Sequence, residues 1–486
     1  MINNRNMKNI LLIGAGRSAS TLIKYLLDNS RKENWKITVA DISLELAKQK
    51  INNHANAHAI AFDINNERQR EDEVAKVDLV ISMLPATMHL PVAKECLRQK
   101  KHLVTASYVS KQMRALDEEV KKAGVIFLNE IGLDPGIDHL SAMKVIDEVK
   151  AKGGKMITFK SYCGGLVAPE SNDNPWGYKF TWSPRSVVVA GQTAEGAGAT
   201  AQFLENGKTK YVPYSRLFSD IETISVDGFG KFDAYANRDS LSYMELYGLQ
   251  DVKNMLRGTL RMPGYCKAWN TFVQLGLTDD NFKVSGSENI SYAELIESFL
   301  SSEKNDSRRG SQSERSRGLK FRLAKFLHEK ENSPVMKKLE WLGIFKNQKI
   351  GIKNASPAEI LLDLLLKKWS LKPDDKDMVV MQHEFEYSTP PKSSPKGRTY
   401  VHNPLPFGER GRGVARITSS LVVIGDDQVN TAMSKTVGLP LAIATKLILN
   451  RKINLKGVWI PTVKEIYNPV LTELENFGIR FIEKHN

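Results

Sequence analysis

The chain has 486 residues, 41% hydrophobic and 26% charged, with a formal net charge of +14. That length implies two or three domains, and the composition is that of a globular protein rather than a disordered or fibrous one. Three scattered cysteines (Cys96, Cys163, Cys266), no HExxH pattern, and neither a bilayer-length apolar run nor a signal-like start argue against a disulfide framework, a metal site or a membrane partner, and fit a cytoplasmic setting.

Asn9-Ile10-Leu11-Leu12-Ile13 is a continuous apolar run, suited to a strand buried on both faces. Gly14-Ala15-Gly16-Arg17-Ser18-Ala19 follows, and then a stretch with helical spacing of apolar positions from Thr21 to Leu27. In this strand–turn–helix context Gly14 permits the tight turn, Gly16 lets backbone approach a pyrophosphate, and Ala19 lets the helix pack on the strand. Free N–H groups at the helix start would bind the phosphates. The next strand, residues 36–40, ends in Asp41. An acid at that point accepts hydrogen bonds from ribose hydroxyls and repels a 2′-phosphate, so NAD is the expected cofactor, with NADP the alternative. A second reading makes Asp41 the cap of the helix starting near Leu44.

Strand-like runs recur at residues 57–62, ending before Asp63, and at 78–84, broken by Pro85, and again at 102–106 and 125–129. Alternation with helical segments predicts a doubly wound parallel sheet. Met83, Thr105, Ala106, Ser107 and Tyr108 fall at the carboxyl ends of its strands, where ligands of such sheets bind. Next comes Asn129-Glu130-Ile131-Gly132-Leu133-Asp134-Pro135-Gly136-Ile137-Asp138-His139, a turn with three acids and a histidine. It reads either as a helix N-terminus with Asp138 near the cap or as a polar cluster beside the nicotinamide.

A mostly β region begins near residue 153, and a helical region spans about 277–369. Within it, Ser356-Pro357-Ala358-Glu359 is a capping box opening an apolar helix. Basic, Ser/Gly/Pro-rich runs at residues 304–322 and 392–416 lack interleaved aromatics and read as solvated loops, not as a nucleic-acid surface. Residues 388–416 separate two strand-like runs and read as a disordered insertion, which loop-closure entropy tolerates. Residues 442–449 predict a helix packing near the dinucleotide unit.

Several long motifs resemble the glutamate-forming saccharopine dehydrogenases, also called saccharopine reductases. They are Lys101-His102-Leu103-Val104-Thr105-Ala106-Ser107-Tyr108, the Asn129-to-His139 loop, Tyr162-Cys163-Gly164-Gly165, Asp173-Asn174-Pro175-Trp176-Gly177, Asn237-Arg238-Asp239-Ser240, Arg257-Gly258-Thr259-Leu260-Arg261 and Thr436-Val437-Gly438-Leu439-Pro440. The resemblance covers nearly the whole chain. It implies an α/β fold: a Rossmann doubly wound parallel sheet (residues 1–130, completed by helices in 430–486), an α+β substrate-binding domain (131–276 and 376–430) and an inserted all-α subdomain (277–375).

It also implies an oxidoreductase of lysine metabolism, interconverting saccharopine, NAD(P)+ and water with glutamate, 2-aminoadipate semialdehyde and NAD(P)H, and leaves a homodimer open. Arg238, Thr259, Leu260 and Arg261 become carboxylate-side contacts. Ser107, Tyr108 and Asp134 lie near the reacting amine, with Asp134 and Tyr108 the candidates for proton transfer. Gly14, Ala15, Gly16, Arg17, Ser18, Asp41, Asp63, Met83, Thr105, Ala106, Leu133 and Ser183 become cofactor contacts. Cys163 reads as core, since no covalent step is needed. A related imine-forming dehydrogenase of carboxynorspermidine type, or a non-catalytic NAD(H)-binding Rossmann protein, are the rival readings.

Overall fold

The first apolar run forms β1 (Lys8–Ile13), whose last four residues are buried, as a strand covered on both faces requires. The computed structural model describes residues 7–191, 199–300, 318–390 and 413–485. β2 (Trp35–Asp41), β3 (Ala57–Ala61), β4 (Leu79–Ser82), β5 (His102–Thr105) and β6 (Ile126–Leu128) follow in the predicted order. With the late strand Gly457–Trp459 they form a seven-stranded sheet in the order Gly457–Trp459, β6, β5, β4, β1, β2, β3. Every pairing in it is parallel. The order reverses between β1 and β4, the switch point at which doubly wound sheets bind ligands.

The described residues divide into two compact units, the first comprising Met1–Cys163, Tyr243–Val252 and Lys376–Asn486. Residues 131–163 and 376–430, read from the sequence with the substrate domain, group here with the parallel sheet. In this unit the helix Ala432–Leu449 lies on the helix Ser20–Glu33. A Cβ on Gly438 would sit 2.8 Å from the Leu22 nitrogen, so only glycine allows that approach. The Ser434 hydroxyl accepts from the Thr21 N–H at 2.9 Å across the same contact.

Read from the sequence as an apolar stretch from 442, this helix starts ten residues earlier and is long and apolar enough to cross a membrane, contrary to the expectation that no run has that length. Of its length, 78% is buried within the chain, the behaviour of a core helix.

Strands Asp377–Ser388 and Val414–Ile424 pair antiparallel along their whole length, Ser388 opposite Val414. The strands therefore claim both edges of the expected 388–416 insertion, and residues 391–412 of it lie outside the described residues, as do residues 301–317 of the other basic run.

The second unit, Gly164–Ser242 and Lys253–Asp375, holds the antiparallel strands Glu222–Val226, Gly230–Ala236 and Asn254–Arg261. Its helices include Tyr265–Leu275 and Pro357–Trp369. The capping box of the latter forms as predicted: the Ser356 hydroxyl accepts from the Glu359 N–H, and Glu359 accepts from the Ser356 N–H. Trp176, Trp269, Trp369, Tyr178 and Tyr265 are all essentially buried and pack ring on ring, Tyr265 stacking on Trp269 with centroids 5.6 Å apart. Such pairs fix geometry as well as burying area.

Candidate active site

The glycine turn leaves β1 with Gly14 at φ +103°, where a Cβ would lie 2.8 Å from the Met83 carbonyl oxygen. Met83 is tied to β1 through its N–H to the Ile13 carbonyl at 2.8 Å. Among the described residues, apart from Gly16 and its chain neighbours, no atom lies within 4 Å of where a Cβ on Gly16 would stand, so backbone faces open space there. Arg17 and Ser18 lie in the short helical turn Arg17–Ala19 that leads into Ser20–Glu33. Exposed backbone at a helix start is what a dinucleotide pyrophosphate requires, and these residues fit it.

Asp41 points back at this turn. One of its oxygens accepts from the Ala15 N–H at 2.8 Å and the other from the Ser43 N–H at 2.9 Å. Ser43, and not Asp41, caps the helix Leu44–Ile51. Asp63 is exposed after β3 and accepts from the Asn65 N–H. Thr105 and Leu133 are buried, and Ala106 is half-buried between them in the chain.

The loops after β5 and β6 bring the two proton-transfer candidates together: the Tyr108 hydroxyl donates to Asp134 at 3.2 Å. Tyr108 is 53% exposed, an accessible phenol beside a carboxylate. What holds the loops is Glu130, a buried non-glycine residue at φ +55°. Its N–H donates to the Ser107 carbonyl, and its carboxylate accepts from the Val109 N–H at 2.9 Å, His139 Nε2 at 2.9 Å and the Tyr243 hydroxyl at 3.0 Å. Burial works to raise the Glu130 carboxyl, but the bonds from His139, Val109 and Tyr243 outweigh it and hold the group below the usual carboxylate range.

His139 Nδ1 bonds the Tyr247 hydroxyl. Asp138 accepts from the Gly136 N–H at 2.6 Å, and both Asp138 and His139 are buried in the helix Ile137–Ala151. Of the two readings of this loop, the helix start therefore holds for Asp138 and His139, and Asp134 is the acid left toward solvent.

Glu130, Tyr243, Tyr247 and His89 were not singled out from the sequence. Glu130 stood in the quoted loop, but nothing local distinguishes it from Asp134 or Asp138. The tyrosines are more than a hundred residues away.

In the second unit, Arg238 is exposed after the strand Gly230–Ala236, and its carbonyl accepts from the Gln202 N–H. Thr259 lies opposite Tyr235 and donates to the Asn237 side chain at 2.6 Å. Leu260 is buried. Arg261 is 4% exposed, its guanidinium 5.2, 5.5 and 5.8 Å from the rings of Tyr178, Tyr265 and Tyr235. Among the described residues no carboxylate pairs with it, and its Nε has no hydrogen-bond partner. A buried cation without a counter-charge is costly, so this guanidinium is prepared for an anion. Ser183 is exposed and caps the five-residue helix Pro184–Val188. Cys163 is buried, in keeping with the core reading.

Two family models match the chain, the saccharopine dehydrogenase NADP binding domain over residues 10–128 and the saccharopine dehydrogenase C-terminal domain over residues 132–479. The chain belongs to the saccharopine dehydrogenase family. It is 36% identical over 480 residues to the saccharopine dehydrogenase [NADP(+), L-glutamate-forming] of Pyricularia oryzae, covering 98% of this chain and 99% of that one. It is 33% identical to the Saccharomyces cerevisiae protein of the same name over 98% and 99% of the two chains. The apo structure of that yeast saccharopine dehydrogenase superposes with a TM-score of 0.82 at 32% identity, over 99% of this chain and 100% of the other. The predicted α/β architecture is that of the family.

These findings overturn the expectation of NAD. The saccharopine dehydrogenases of Pyricularia oryzae, Schizosaccharomyces pombe and Saccharomyces cerevisiae that resemble this chain along its length are named as NADP(+) enzymes, and the matching dinucleotide domain model is an NADP binding domain. The physical reason lies in Asp41: both of its oxygens are engaged by backbone N–H groups of its own loops. Its type and position after β2 match a ribose acceptor, yet here it fastens the glycine turn to β2.

Proposed function

We propose that the chain interconverts saccharopine, NADP+ and water with L-glutamate, 2-aminoadipate 6-semialdehyde and NADPH. The observation that carries this reading is the similarity to glutamate-forming NADP(+) enzymes along essentially the whole of both chains. When bound, the nicotinamide supplies the hydride chemistry at the carbon beside the secondary amine. The turn at Gly14, Ala15 and Gly16 holds the pyrophosphate by backbone N–H groups. Arg17 after β1 and Ser43 after β2 take the 2′-phosphate, and Ile42, 81% exposed, offers an apolar face to the adenine.

Asp134 accepts the proton that the amine gives up, and Tyr108 keeps that carboxylate oriented. Arg261 and Arg238 hold substrate carboxylates, Arg261 as the buried anchor.

The test is initial-rate formation of reduced nicotinamide with saccharopine and either NADP+ or NAD+. The expected result is a saccharopine-dependent rate with kcat/KM favouring NADP+ by about tenfold or more, the worth of one charge-assisted contact. Absence of a saccharopine-dependent rate with either cofactor would sink the reading. Arg17→Ala should raise KM for NADP+ and leave KM for NAD+ unchanged.

A further inference from the structure

Lys8 opens β1, Asp78 immediately precedes β4 and His102 opens β5. These strands run parallel, so their amino ends lie along one edge of the sheet. A cavity of about 220 Å³ opens there, lined by these three residues, by Lys100 and Lys101 and, from beyond the end of helix Ala432–Leu449, by Arg451. The 6 residues of β1 separate it from the glycine turn, about 20 Å at about 3.3 Å per residue. It is a place distinct from the cofactor turn, on the opposite edge of the same sheet.

Four cations and one carboxylate line this cavity. The carboxylate is already engaged: one Asp78 oxygen pairs with Lys8 Nζ at 2.9 Å, and the other accepts from the Asn9 N–H at 2.8 Å. Lys101 Nζ donates to the Ala75 carbonyl at 3.2 Å, a neutral partner that leaves its charge uncompensated. The side chains of Lys100 and Arg451 have no partner among the described residues. Neither is needed to close a helix. The Leu97 and Cys96 carbonyls accept from the Lys100 and Lys101 N–H groups, and the Ile448 and Leu447 carbonyls accept from the Arg451 and Lys452 N–H groups.

His102 adds a neutral donor to this wall. Burial pushes its imidazole down from the ordinary histidine value, so the ring is uncharged at neutral pH. Its Nδ1 accepts from the Ile126 N–H at 3.1 Å, which leaves the ring proton on Nε2.

We propose that this cavity binds a small, multiply charged oxyanion, with Lys100 and Arg451 as its principal contacts. Four cations against one carboxylate leave three positive charges in surplus, and a concave wall of one sign concentrates the field on what enters it. A dianion meets the Lys100 ammonium and the Arg451 guanidinium together, whereas a single charge leaves one of them unmatched. The volume selects a small ligand, since sites for drug-sized molecules begin at about 300 Å³. A phosphate and a cluster of carboxylates share this chemistry. The site asks nothing of the hydride-transfer reaction and stands independently of it.

Calorimetric titration of the whole protein tests the proposal with two probes, inorganic phosphate and citrate, at constant ionic strength. The protein is kept saturated with NADPH, so that the contacts for the cofactor's own phosphates are filled. Three charge-assisted contacts, each worth about tenfold, imply a Kd of about 1 mM for at least one probe. The tighter probe tells a phosphate site from a carboxylate site. Lys100→Ala and Arg451→Ala, both at exposed positions, should each weaken that binding about tenfold. Arg31→Ala removes the same charge from another exposed position of this unit and should leave it within about twofold. No binding of either probe below about 10 mM would overturn the proposal. So would binding that survives Lys100→Ala and Arg451→Ala, or an equal loss in Arg31→Ala.

Discussion

The two loops that serve the candidate site in the parallel-sheet unit are held by opposite means. The turn after β1 is shaped by backbone: Gly14 sits where a side chain would strike Met83, and the Asp41 carboxylate fastens it from the neighbouring strand. The loop after β6 is shaped by side chains: Glu130, in a backbone region unfavourable to it, is gripped by Val109, His139 and Tyr243. A backbone-shaped loop depends on a few residues in a short span and tolerates change around it. A loop shaped by a buried polar network depends on partners gathered from across the chain, and each partner left unpaired is costly.

If that contrast is right, the largest effect should come from the network. Glu130→Ala strands the His139, Tyr243 and Val109 donors and should cost about 3 kcal/mol in urea unfolding. A loss under about 1 kcal/mol, within the range of ordinary surface changes, would break the contrast. The same group has a pH signature. Its carboxyl is lowered in the folded protein, so its contribution is present above the ordinary glutamate value and is lost as pH falls through the folded one. Stability of the native protein should therefore drop more steeply below about pH 4 than that of Glu130→Gln.

On the backbone side, Gly14→Ala forces a Cβ against Met83 at positive φ and should cost about 2 kcal/mol together with most NADPH affinity. A variant that keeps wild-type affinity would show that this turn has slack. The smallest effect should follow Asp41→Asn. An amide oxygen can still accept from one of the two N–H groups, so the expected loss is about 1 kcal/mol. Both cofactors should bind more weakly by a similar factor, because both oxygens of the residue hold backbone N–H groups of the turn and its neighbour. A change in the ratio of NADP+ to NAD+ use would contradict that role.

The glycine turn, the parallel strands and the Ser356 capping box were legible in the sequence because each is local: residue type and spacing dictate them within a few positions. Asp41 shows the limit of such reasoning. Its position was read correctly, but the direction of its carboxylate depends on where the Ala15 N–H lies after folding, and the cofactor inferred from it was wrong. The helix Ala432–Leu449 extends ten residues before the apolar stretch read from the sequence and includes Gly438 and Pro440, residue types of poor helix propensity, with Gly438 packed against Leu22.

From the opening strand and turn alone, the sequence pointed to a dinucleotide-binding Rossmann sheet opening on the run Asn9–Ile13, and its long motifs placed the chain in its family. Tertiary structure alone decided the rest. It placed the Tyr108 hydroxyl on Asp134, turned Asp138 and His139 inward, left Arg261 among tyrosines with no counter-ion among the described residues, and set His89 between two serines. The physical reason is one of range. Backbone conformation answers to neighbours in sequence, whereas the direction of a polar side chain answers to whichever donors and acceptors the fold brings within about 3 Å.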